Sequence, residues 1–114
     1  MATPFTVTLS MPEPPDEARA RAANELTAPA QAIGLRLTGR DAGELQYKPR
    51  VQWPFLLMLW HSINGEKMTV RFERGEGGGT RVTISGAVAR DKHPLAADRE
   101  HWTESLSGSR PTTG

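Results

Sequence analysis

The 114-residue chain contains no cysteine. Disulfides, thiolate nucleophiles and cysteine metal sites are excluded together. An excess of charge of one sign is missing as well. The 14 Lys and Arg stand against 13 Asp and Glu, a formal net charge of +1. Attraction to an anionic partner must therefore come from a local patch. Aromatic residues make up only 6%. Met1–Val7 carries neither a basic region nor a long apolar stretch. No secretory signal is expected, and the expected location is cytoplasmic.

Recognisable catalytic arrangements are also lacking. There is no Gly-x-Ser-x-Gly elbow, and no serine has an evident histidine partner. His93 and His101 are eight residues apart, which on a helix leaves them about 80° apart around the axis and two turns apart in height, so they cannot share a metal. Gly75-Glu-Gly-Gly-Gly79 lacks the lysine and Ser/Thr of a phosphate loop and joins two expected strands, so it reads as a turn. Asp98, Glu100 and Glu104 read as a solvated helix surface. An acid/base pair needs a pocket that desolvates one partner. No enzymatic activity, cofactor or metal is expected.

Long apolar runs are missing with one exception, Trp53-Pro-Phe-Leu-Leu-Met-Leu-Trp-His-Ser-Ile-Asn-Gly65. It is too short for a membrane span, which needs about 20 residues. Two readings are open. As a helix, Pro54 would occupy the first turn and Gly65 the C-terminal cap. As a strand, Asn64-Gly65 is a hairpin signal. That register sets His61 against Met68, Leu59 against Val70 and Leu57 against Phe72. It also turns Leu56, Met58 and Trp60 onto the opposite, polar face. Such an apolar strip points to an interface or a second core layer.

The rest of the chain is patterned. Phe5, Val7, Leu9 and Met11 alternate with Thr6, Thr8 and Ser10 as a strand. Asp16–Thr27 reads as a helix, with Pro15 at its first position, Ala18, Ala22 and Leu26 as its apolar stripe, and Pro29 as its stop. Strands follow at Ile33–Thr38 and Leu45–Trp53, joined by the loop Gly39–Gly43; Pro49 suggests an edge or bulge. Lys67–Phe72 and Arg81–Ser85 are the next strands. Pro94–Leu106 is a second helix, with Leu95, Trp102 and Leu106 on one face and Gly108 as its stop.

The expected fold class is α+β: an antiparallel sheet of about five strands with two helices, in the order β-α-β-β-β-β-α. Residues 1–106 would form a single domain and 107–114 a flexible tail. The outward sheet positions would be Arg36, Lys48, Arg50, Lys67, Arg71 and Arg81 against a single acid, Glu73. This basic face lacks the stacking aromatics of RNA-binding sheets apart from Trp60, so nucleic acid is disfavoured as a partner.

Gly65-Glu-Lys-Met-Thr-Val-Arg-Phe-Glu73 followed by Gly-Gly-Thr80-Arg-Val-Thr-Ile-Ser-Gly86, together with Gly34-Leu-Arg-Leu-Thr-x-Arg-Asp-x-Gly43-Glu-Leu45, resembles small bacterial α+β proteins of the helix-grip, or START-like (SRPBCC-like), type. The resemblance implies a reduced helix-grip plan and an apolar ligand held between the sheet and the last helix. Tyr47, Trp102 and Leu106 would line that cleft. Two functional expectations result. The first is a non-enzymatic module that forms a homodimer or binds a protein partner through Leu56, Met58 and Trp60. The second is a binder of a small apolar ligand.

Overall fold

The computed structural model describes residues 2–41, 43–49, 66–106 and 108–111. The apolar run 53–65, and with it Leu56, Met58 and Trp60, lies outside the described residues, as does Arg50.

The fold is α+β, an open antiparallel sheet with short helices, as the patterning predicts. In chain order its elements are β1 (Ala2–Met11), α1 (Pro15–Glu25), α2 (Thr27–Ala32), β2 (Leu35–Asp41), β3 (Glu44–Pro49), β4 (Lys67–Arg74), β5 (Thr80–Ala89), α3 (His93–Ala96), α4 (Arg99–Ser105) and a two-residue β6 (Arg110–Pro111). A 3₁₀ turn, Glu76–Gly78, joins β4 to β5. The strands lie in the order β2-β3-β4-β5-β1-β6. The first strand therefore returns beside the last long one, with Val7 opposite Ile84 and Leu9 opposite Val82.

Period-two alternation decides which face is buried. Phe5, Val7, Leu9, Leu45, Tyr47, Met68, Val70, Phe72, Val82 and Ile84 all point inward. The helices pack on these strands, and Ala18, Ala22 and Ala23 of α1 are buried. Such small side chains let a helix lie close to a sheet.

Both helical expectations need correction. The first helix does not stop at Pro29. The chain restarts at Thr27 as α2, and Pro29 sits in the first turn of α2, where its missing N–H is not needed. Ile33 and Gly34 then form a turn, so β2 begins at Leu35 rather than Ile33. Gly34 has φ +76, a conformation that favours glycine.

The second helix is two helices. Asp98 takes an extended conformation and its carboxylate accepts a hydrogen bond from Glu100 N at 3.1 Å. Its capping chemistry outcompetes an internal helical position. One consequence is that Leu95 lies 37% exposed instead of sharing a face with Trp102 and Leu106.

The tail also differs from expectation. Arg110 and Pro111 pair with Ser10 and Leu9 of β1, so this part is tied to the sheet.

The expected strand register of the apolar run falls on residues outside the described ones. Val70 pairs with Leu45 on one side and Ile84 on the other, and Met68 pairs with Tyr47 and Gly86. Both edges of β4 are filled by β3 and β5.

Candidate functional site

The expected cleft residues come together in the interior. Trp102 and Leu106 have no exposed surface and Tyr47 is 1% exposed. Trp102 lies on α4, and its indole N–H donates to the Ala96 carbonyl of α3 at 2.7 Å. The break at Asp98 brings that carbonyl into reach. Tyr47 stands on β3 between Leu37 of β2 and Met68 of β4. These three side chains are part of the buried core.

Tyr47 nevertheless carries an anomaly. Its hydroxyl is buried without a hydrogen-bond partner among the described residues. Burial pushes the phenol up to about 12, with Arg40 pulling weakly the other way.

The histidines are separate. His93 lies with Nε2 3.0 Å from the Pro4 carbonyl. His101 packs edge-on against Trp102, its Nε2 buried and without a hydrogen-bond partner among the described residues. Among the described residues no group of three or more His, Asp or Glu could hold a metal.

The outer sheet face is built in rows set by the strand register. The lowest row pairs Glu73 with Arg81. The next aligns Glu44, Arg71 and Thr83, and Arg71 Nη2 lies 3.5 Å from Glu44 Oε1. Glu44 is therefore a second outward acid, where only Glu73 was expected. It precedes inward Leu45, so the alternation itself carried the signal. Above these rows come Gln46, Thr69 and Ser85. A groove of about 350 Å³ runs over this surface, lined among others by Glu44, Lys67, Thr69, Arg71 and Thr83.

The top row differs. Arg36 is the register partner of Lys48. Lys48 follows Tyr47 and Lys67 precedes Met68, and Tyr47 and Met68 are partners, so Lys67 stands level with Lys48. All three cations are exposed. None has an ion-pair partner among the described residues. The expected basic face thus splits in two: Arg71 and Arg81 have acids beside them, whereas Arg36, Lys48 and Lys67 do not.

Glu66 is the residue that sequence reasoning missed. It occupies an inward position and is only 9% exposed. Its Oε1 accepts from Ala89 N at 3.0 Å and lies 3.7 Å from Lys92 Nζ. A carboxylate at inward parity beside Met68 was the available signal; its partners, far along the chain, were not readable.

No family model matches the chain, and neither the curated proteins nor the solved structures contain a significant match to it.

Proposed function

We propose that the chain is a small non-enzymatic α+β module that self-associates or binds a protein partner through the apolar run, with Leu56, Met58 and Trp60 at its centre. One observation carries this reading. β3 and β4 are already direct neighbours, with Tyr47 opposite Met68, and β4 has β5 on its other edge. The sheet does not need the run as a strand between them. The core already encloses Trp102 and Tyr47, both fully buried. The most apolar stretch of the sequence lies outside the described residues, and an apolar strip of this kind marks an interface. Absence of cysteine fits a reducing compartment such as the cytoplasm. Among the described residues no helix is long and apolar enough to cross a membrane.

The test is the solution mass. Trp60→Glu yields a smaller species by light scattering while the far-ultraviolet circular dichroism stays unchanged. An unchanged mass removes the reading.

A second reading rests on a different observation, the orphan Tyr47 hydroxyl. In a reduced helix-grip plan an apolar ligand with one polar atom would sit between the sheet and α4 and satisfy it. The return of β1 beside β5 supports that plan, as do helices on a single face. Saturable, stoichiometric binding of an apolar dye such as ANS to the native protein supports it; absence of saturation ends it.

A further inference from the structure

We propose that the cation row Arg36–Lys48–Lys67 docks the protein onto an anionic phospholipid surface. The row goes beyond the self-association reading and does not rest on it, because none of its members belongs to the apolar run.

The argument begins with geometry. The three residues stand on adjacent strands at one level of the outer face. Neighbouring strands are about 4.8 Å apart, so three positive charges fall within roughly 10 Å on one line. Like charges placed directly across strands repel and weaken a sheet. A natural surface ordinarily relieves this with an interspersed acid, as Glu44 does for Arg71 two levels below. The top row has no such acid. Glu66, next to Lys67 in sequence, is turned inward and held by Ala89 N and Lys92. Glu44 is four residues from Lys48 along β3, about 13 Å, which exceeds the screening length of about 8 Å at physiological salt. Beyond β5, Arg90 and Asp91 are both exposed and offset each other, and Lys92 is committed to Glu66. The row therefore presents concentrated positive charge on a molecule whose net charge is only +1.

The occupant follows from what surrounds the row. Gly39, Gln46 and Thr69 are the next described residues on this face, and none offers a ring on which a base could stack. Nucleic acid is therefore the poorer fit. Flat, exposed cations beside hydroxyl side chains suit phosphate and carboxylate headgroups, and a planar bilayer can meet all three at once.

Each basic residue near an anionic bilayer adds roughly fivefold to partitioning, so the row supplies on the order of a hundredfold. The experiment is sedimentation of the full chain with phosphatidylcholine vesicles, with and without phosphatidylserine, and with a single-stranded oligonucleotide in parallel. The protein binds the phosphatidylserine vesicles and not the neutral ones. Arg36→Gln, Lys48→Gln and Lys67→Gln together lose on the order of a hundredfold, and Lys48→Gln alone, which keeps the fold if the triple variant does not, loses about fivefold. Glu44→Gln with Arg71→Gln removes a compensated pair and leaves binding unchanged. Four outcomes overturn the proposal: no binding to phosphatidylserine vesicles, equal binding to neutral ones, an equal loss in the Glu44/Arg71 pair, or tighter binding to the oligonucleotide. A monomeric wild type that still binds vesicles would end the self-association reading and leave this one standing.

Discussion

Tyr47→Phe stabilises this protein. The ring is 1% exposed, held between Leu37 and Met68 on the neighbouring strands. Phenylalanine keeps that packing and removes only the hydroxyl. The hydroxyl has no hydrogen-bond partner among the described residues. Taking such a group out of water without a partner costs about 1–3 kcal/mol. Its removal should return about 1–2 kcal/mol, part of the loss being recovered by relaxation. In a domain near this size each kcal/mol raises the thermal midpoint by about 4–8 °C.

A second measurement rests on the same burial. The chain has a single tyrosine, so tyrosinate absorbance reports Tyr47 alone. Burial pushes the phenol from the ordinary 10.0 up to about 12. The folded state thus holds the proton more tightly than the unfolded chain. This group's contribution is fully present below pH 10 and is lost as pH rises toward 12, at about 1.4 kcal/mol per pH unit. Tyr47→Phe abolishes that alkaline loss. A variant less stable than wild type, or tyrosinate formed near pH 10 without unfolding, would refute the orphan-hydroxyl reasoning. Stabilisation by Phe together with saturable dye binding would instead mark the hydroxyl as a ligand contact.

Two further perturbations probe the frame. At Gly86 an added Cβ would collide with the Lys67 carbonyl oxygen and lie 2.8 Å from Met68 Cα, both backbone atoms of β4. Gly86→Ala should cost about 3 kcal/mol, read as a lower urea midpoint; a loss below about 0.5 kcal/mol would mean that β4 and β5 are not so closely apposed. Arg21 binds the Glu13 carboxylate with both Nε and Nη2, the latter at 2.8 Å, and Glu25 at 2.9 Å. The hydrogen bond from Arg21 holds Glu13 below the usual carboxylate range. Stability from this group is therefore present above the ordinary carboxylate value and lost as pH falls through the depressed one. Glu13→Gln should cost up to about 1 kcal/mol at neutral pH and flatten the acid limb of the thermal-midpoint profile; an unchanged acid limb would deny the pairing.

Local pattern alone determined a good deal here. Alternation placed Phe5, Val7, Leu9, Tyr47, Met68, Val70 and Ile84 inward and Arg36, Lys48, Lys67, Arg71 and Arg81 outward, because a pleated strand offers only two faces. Helix positions were legible from Pro15 and the alanine stripe of α1, and the α+β class followed from the order of elements. What failed was chemistry in which two local rules competed: Asp98 was both an acceptable helix residue and a better N-cap, and Pro29 both a stop and a first-turn residue. Only the tertiary structure decided the pairings. Strand register is set by how the inward faces pack across elements distant in sequence, and no local pattern encodes it. That register filled both edges of β4, gave Glu44 to Arg71 and turned Glu66 inward to Ala89 and Lys92. It also left Arg36, Lys48 and Lys67 in line with no acid among them. The sequence alone determined that these cations face outward; their alignment as one uncompensated row is a property of the folded sheet.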